Sequence, residues 1–87
     1  MAWFVYILKC RDGSFYVGMT DDLAGRTAAH NQGKGARYTR GRRPASLVYW
    51  EKLRGRSEAG KREIEIKSFS KSKKQEMVTG FPQVLSR

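Results

Sequence analysis

One cysteine, one histidine, two prolines and eight acidic residues are all that this 87-residue chain holds of the groups that often define a site. The lone Cys10 excludes an internal disulfide and any multi-cysteine zinc centre, and it fits a reducing compartment. The acids (Asp12, Asp21, Asp22, Glu51, Glu58, Glu63, Glu65 and Glu76) are scattered. They form no cluster of carboxylates of the kind a two-metal nuclease needs. There is no glycine-rich phosphate loop opening a helix, no Ser/His/Asp frame and no His/Cys ligand set. The apolar opening, Trp3 to Leu8, has no basic residue before it and stops at Lys9. That run is too short to span a bilayer and lacks the layout of a signal peptide, so a soluble, cytoplasmic protein with no membrane partner is expected.

What the chain has in excess is positive charge. Lys and Arg number 18 against the eight acids, for a formal net charge of +10. Hydrophobic residues make up 39% and aromatics 11%, enough for one thin core and not for two. We therefore expect a single domain over 1–80, with 81–87 a loose tail, acting as a monomer. A small body this basic attracts polyanions, of which nucleic acid is the commonest in a cytosol. Charge for solubility alone would not need clustering. Yet Lys34, Arg37, Arg40, Arg42 and Arg43 share the acid-free stretch 33–43 with Gly33, Gly35, Gly41 and Tyr38. Glycine lets backbone approach a ligand, arginine reaches phosphates and tyrosine stacks on bases, so these five basic residues and Tyr38 are candidate nucleic-acid contacts. A flexible surface loop would have a similar composition.

Residues 3 to 10 read as a strand, Arg11-Asp12-Gly13-Ser14 as a turn and Phe15 to Met19 as the returning strand. Thr20, Asp21 and Asp22 are cap candidates for a helix from about Leu23 to Asn31, stopped by Gly33. Gly25 inside that helix costs about 1 kcal/mol relative to alanine, so packing must support it. Residues 33 to 45 read as a basic loop and Ser46 to Glu51 as a third strand. Ser57 is placed to cap a helix from about Glu58 to Ser68, and Ser70 another from about Lys71 to Val78, ended by Gly80 and Pro82. The order β-β-α-β-α-α predicts an α+β fold with a small three-stranded, mostly antiparallel sheet flanked by about three helices. Cys10 is expected at a sheet edge. Trp3, Tyr49, Trp50 and Phe69 are expected to be core or half-buried, with Met77 and Val78 packing the last helix.

The register of the first hairpin decides whether two tyrosines share a face. A two-residue Asp12-Gly13 loop sets Tyr6 opposite Met19 and Tyr16 opposite Lys9, which puts them on opposite faces. A three-residue loop with Arg11 opposite Phe15 puts both on one face, and this is the register we adopt. On the first helix, Arg26 and His30 are four apart and project from one side. Taken alone they read equally as an exposed pair.

The segments Phe4-Val5-Tyr6 and Tyr16-Val17-Gly18 resemble the paired motif of the GIY-YIG nuclease superfamily. Arg26-x-x-x-His30-Asn31 resembles its catalytic helix. The stretch Gly33 to Pro44 is similar to the loop of its small bacterial members and of related structure-specific endonucleases, and Lys61-Arg62-Glu63 with Ile66-Lys67 resembles its metal-site helix. The likeness runs from about residue 3 to 75. Phe4 stands where the first motif has glycine, and valines replace isoleucines, at backbone and packing positions.

The resemblance implies the GIY-YIG fold and hydrolysis of DNA phosphodiesters with one divalent metal, Mg²⁺ or Mn²⁺, held by Glu63. It implies catalytic roles for Tyr6, Tyr16, Arg26, His30 and Glu63. Tyr6 is implied as general base, which at neutral pH requires positive charge nearby, since a free phenol titrates near ~10. Tyr16 would bind the water or the phosphate, Arg26 would offset phosphate charge and His30 would orient Tyr6 or relay a proton. The helical wheel alone does not separate Glu63 from Glu65; the family pattern favours Glu63. Branched, nicked or damaged DNA in repair or recombination is the substrate class this suggests. The rivals are a non-catalytic basic module that binds DNA or RNA, and a subunit docking on an RNA-containing assembly.

Overall fold

The computed structural model describes residues 2–81. Its elements are β1 (Trp3–Lys9), β2 (Phe15–Thr20), α1 (Leu23–Asn31), α2 (Arg37–Arg40), β3 (Ser46–Leu53), α3 (Arg56–Lys67) and α4 (Lys71–Gly80). The sheet has the order β2-β1-β3, and both pairings are antiparallel. The apolar opening segment is therefore the central strand, which explains why it reads as a continuous hydrophobic run: both of its faces are covered. Val5 and Ile7 join Val17, Ala59 and Ile66 in a core under α3, with Trp3, Tyr49, Phe69, Met77 and Val78 half-buried around it. Tyr6 and Leu8 join Cys10 and Ala45 in a second cluster on the other face, with Tyr16, Leu23, Leu47 and Trp50 packed against it. Truncating a fully buried side chain such as Ile66 to alanine would cost about 2–5 kcal/mol.

The two tyrosines do share a face, though the register differs from the expected one. Phe15 lies opposite Lys9, not Arg11, and Tyr6 lies opposite Gly18. The loop is the three residues Arg11-Asp12-Gly13, closed by Cys10 N–H donating to the Ser14 carbonyl (2.8 Å), with Gly13 at φ 84°. A three-residue loop that ends on a glycine in the left-handed region is, after the two-residue turns, the next most common hairpin connection. Asp12 instead accepts from the Ser14 N–H at 3.0 Å, a local cap that competes with the tighter turn.

Other boundaries move by a few residues. Asp22 caps α1 through the Gly25 N–H as expected, but the basic stretch contains the short helix α2 in place of a plain loop. The third strand runs two residues further, to Leu53. Helix α3 begins at Arg56 with Gly55 as its cap, so Ser57 sits inside the first turn and is not the cap. Ser70 caps α4 through the Lys73 N–H, and that helix continues through Gly80. Phe81 is not part of a loose tail: its ring packs 5.3 Å from Tyr49 and 5.8 Å from Trp50, centroid to centroid. Pro82 and the rest of the expected tail lie outside the described residues. Cys10 follows the last residue of the central strand and is buried, so the edge strand position expected for it is corrected. No helix among the described residues is long and apolar enough to cross a membrane.

Candidate active site

The site is built on Tyr6. It belongs to the buried central strand, and its ring lies across Gly18 on β2: a Cβ there would stand 2.5 Å from the Tyr6 hydroxyl and 3.1 Å from the Tyr16 ring. Only glycine leaves that space, which gives the Tyr16-Val17-Gly18 spacing a steric reason. The Tyr6 and Tyr16 centroids are 6.4 Å apart, and His30 from α1 closes the triangle at 6.1 and 5.1 Å. His30 and Tyr6 are essentially fully buried. The exposed Arg and His pair that one helix alone would allow is thus not what forms.

The Tyr6 hydroxyl is 3.0 Å from His30 Nε2, and His30 Nδ1 is 2.7 Å from the Thr39 hydroxyl. Thr39, also fully buried, donates its one proton to the Ala36 carbonyl at 2.9 Å. Proton counting then fixes the polarity of the whole chain. Thr39 has no second proton to give, so Nδ1 must carry a hydrogen and donate it. The neutral imidazole is left with its lone pair on Nε2, and Tyr6 donates to it. Gly35 completes the seat, since a Cβ at that position would run into the imidazole, 2.7 Å from Cγ. The loop therefore binds His30 from two positions, Gly35 and Thr39, that the sequence reading passed over.

Electrostatics keep both rings neutral at rest. Burial pushes the Tyr6 hydroxyl up to about 12, helped by the neighbouring Tyr16 and Glu63, while the hydrogen bonding and charge of Arg26 pull it the other way. Burial and the Arg26 charge together hold His30 below the ordinary imidazole range. Arg26 supplies part of the positive charge that a tyrosine base requires, and burial outweighs that part here. Arg26 itself is half-buried and has no ion pair among the described residues.

Glu63 and Glu65 separate clearly. Glu65 is 56% exposed and pairs with Arg62 at 2.8 Å, whereas Glu63 is 20% exposed and meets Lys67 at 3.3 Å. Glu63 is also the carboxylate whose charge is felt at the Tyr6 hydroxyl, because α3 packs on β1 and β2. Among the described residues no group of three His, Cys, Asp or Glu side chains gathers in one place. The donor set is one hard carboxylate, which suits a largely hydrated Mg²⁺ or Mn²⁺ completed by substrate oxygens and does not suit a zinc cage.

The basic stretch divides in two. Lys34, Arg37 and Arg40 are exposed and make no side-chain ion pair or hydrogen bond among the described residues. Arg42 is engaged: its Nε donates to Asp12 at 3.0 Å, its Nη1 to the Tyr38 carbonyl at 2.8 Å, and its guanidinium lies 4.0 Å over the Tyr38 ring. Tyr38 also stacks on Tyr16, with centroids 6.0 Å apart, and keeps 38% of its surface exposed. Arg43 Nε donates to the Arg40 carbonyl at 2.9 Å.

A small α+β domain with a tyrosine pair on one sheet face, an Arg–His helix across from it and a single acid from a third element is a defined class. Residues 2–76 match the family described as the GIY-YIG catalytic domain, and the chain belongs to that family. Within it, the chain is 55% identical over 78 residues to the UPF0213 protein DP2720 of Desulfotalea psychrophila, covering 88% of this chain and 71% of that one. It is 52% identical over 75 residues to the UPF0213 protein SH2523 of Staphylococcus haemolyticus, covering 86% of this chain and 92% of that one. The solution NMR structure of the UPF0213 protein BH0048 from Bacillus halodurans matches with a TM-score of 0.58 and 46% identity, over 91% of this chain and 84% of that one. That of EF2693 from E. faecalis matches at 0.60 and 43%, over 91% and 85%.

Proposed function

We propose that this chain is a metal-dependent endonuclease that hydrolyses DNA phosphodiester bonds, with nicked, branched or damaged DNA in repair or recombination as its substrate class. The observation that carries the reading is the oriented Tyr6–His30 hydrogen bond lying beside an arginine that no carboxylate neutralises among the described residues. Phosphate is the ligand such a guanidinium fits. In the reaction, water oxygen bonds to phosphorus, the phosphorus–oxygen ester bond breaks, the water proton passes to deprotonated Tyr6 and the departing oxygen takes a proton from solvent water. Tyr6 acts once it has lost its own proton, for which His30 Nε2 is the adjacent acceptor. Arg26 binds the phosphate oxygens as charge builds on them, a contribution of about 3–4 kcal/mol for one preorganised donor. Tyr16 holds the water or the phosphate. Glu63 would hold one Mg²⁺ or Mn²⁺, which when bound supplies positive charge to the phosphate.

One observation favours a second reading. Tyr6 held protonated, up to about 12, is what a module that binds DNA or RNA without cutting would tolerate. The test is nicking of supercoiled plasmid with Mg²⁺ by the wild-type protein and by Glu63→Gln. Nicking by the wild type and none by the variant, at equal DNA affinity, supports the enzyme. Equal binding with no nicking by either, across plain, nicked and junction substrates, leaves the binding module.

A further inference from the structure

A cavity of about 510 Å³ is lined by Arg11, Asn31, Arg40, Gly41, Arg43 and Pro44. We propose that it is a second phosphate site, which takes a backbone phosphodiester of the bound nucleic acid next to the one at Tyr6. The proposal rests on the nucleic-acid reading above and adds to it a residue, Arg11, that lies outside the basic stretch.

Three arginines and no acid line this cavity. Like charges gathered on one rim repel one another, and an anion between them removes that cost. The nearest acid in sequence, Asp12, is already committed to Arg42 and Ser14. Arg11 and Arg40 are exposed and have no ion pair among the described residues.

The site is also held in shape before any ligand arrives. Arg43 is fixed by the Arg40 carbonyl (2.9 Å) and the Asn31 carbonyl (3.5 Å). Those bonds use two of the five N–H donors of a guanidinium and leave three for a ligand. The Asn31 side chain is tied at both ends to Ala45, accepting from its N–H at 2.7 Å and donating to its carbonyl at 2.9 Å. The hairpin turn that carries Arg11 is fastened to the same segment twice: Arg11 N–H donates to the Arg42 carbonyl at 2.9 Å, and Asp12 pairs with Arg42 at 3.0 Å. Arg42 thus serves to dock Arg11 beside Arg40 and Arg43, and its charge is spent on Asp12. A cavity of this size lies within the roughly 300–1,000 Å³ of small-molecule sites, enough for a phosphodiester and its sugar.

Its position relative to the reaction pocket follows from the chain. His30 bonds to Tyr6 and Thr39 bonds to the other nitrogen of His30, while their immediate neighbours Asn31 and Arg40 line the cavity. Consecutive Cα atoms are about 3.8 Å apart, so the same two segments carry residues of both sites.

The experiment measures binding of a fluorescent DNA duplex across a salt series in magnesium-free buffer with a chelator, so that cleavage plays no part. The proteins are wild type, Arg11→Ala, Arg40→Ala and the control Arg54→Ala, an exposed arginine outside the cavity. Losing one phosphate contact should reduce the slope of log affinity against log salt by about 0.9 for Arg11→Ala and for Arg40→Ala, and leave the control at the wild-type slope. Arg11→Lys should restore the slope. If Arg11→Ala and Arg54→Ala give the same slope, the second site is overturned. A wild type that binds with this arginine-dependent slope and never nicks would sink the hydrolytic reading alone. A wild type that nicks while all slopes agree would sink the cavity alone.

Discussion

The molecule contains two tyrosines whose hydroxyls are both pushed up to about 12, and their surroundings could hardly differ more. Tyr49 is raised by burial and by donating to Glu51, and Glu51 in turn takes two bonds from Arg62, at 2.9 and 2.8 Å. Those bonds and the Arg62 charge outweigh burial and hold the Glu51 carboxyl below its ordinary range, while Glu51 and Glu65 hold the Arg62 guanidinium above its own. Every charge in that network is answered, and what it does is fasten β3 to α3. Tyr6 is raised chiefly by burial, its partner is a neutral imidazole, and the adjacent arginine has no ion pair among the described residues. The Tyr49 network joins paired charges, whereas Tyr6 sits beside a guanidinium with no ion pair among the described residues.

The comparison is broken most sharply by exchanging the arginines for alanine. Arg26→Ala should lower nicking by about 10²–10³-fold, equivalent to about 3–4 kcal/mol, with little change in melting temperature. Arg62→Ala should do the reverse: it strands a half-buried carboxylate and costs about 1–3 kcal/mol of stability, while the folded protein still nicks. Thermal melts and nicking rates on the same samples decide between them. Next in size is Gly18→Ala. The added methyl displaces the Tyr6 phenol, and a shift of about 1 Å should cost on the order of 10²-fold in rate with DNA binding intact.

A smaller effect is expected from Thr39→Val, which removes the acceptor that fixes the His30 tautomer. Stability should fall by about 1–3 kcal/mol for the stranded N–H, and nicking by roughly tenfold. The imidazole nitrogen shifts in NMR should show a mixture of tautomers in place of one. Thr39→Ser, which keeps the hydroxyl, should restore the single tautomer.

The smallest effects are in pH. An unfolded tyrosine loses its proton near its ordinary value of 10.0, while folded Tyr6 and Tyr49 keep theirs to about 12. Between those values the native state holds more protons than the unfolded one, so stability is intact below pH ~10 and declines as pH rises toward about 12. Tyr6→Phe and Tyr49→Phe should each flatten that decline in alkaline denaturation curves. At the acid end the sign reverses for His30, whose neutral form the fold prefers: stability falls as pH drops below the ordinary imidazole value of 6.5.

Much of this was legible in the residues. The apolar run, the Asp22 and Ser70 caps and the Arg26–His30 spacing each express a local rule, and the strands and helices formed where those rules place them. The hairpin register was not legible to the residue, because Asp-Gly permits two turns and the observed one goes with the bonds between Asp12 and Ser14. Helix α2 was hidden for another reason. Its stretch looks like an unstructured basic loop until Thr39, an uncharged β-branched residue among arginines, is found buried against His30. That single apolar-compatible position was the available signal. Arg11 gave none, since only the Asp12–Arg42 pair, thirty residues apart in sequence, carries its turn to the basic segment.

The most direct test is to follow single-turnover nicking of one DNA substrate, with Mg²⁺ present, by Arg26→Lys and Arg62→Lys side by side. Both keep the charge and lose the planar fork. If the unanswered guanidinium is the one that grips phosphate, Arg26→Lys will be slow at a wild-type melting temperature and Arg62→Lys will cut at the wild-type rate. Equal rates for the two proteins would contradict the account.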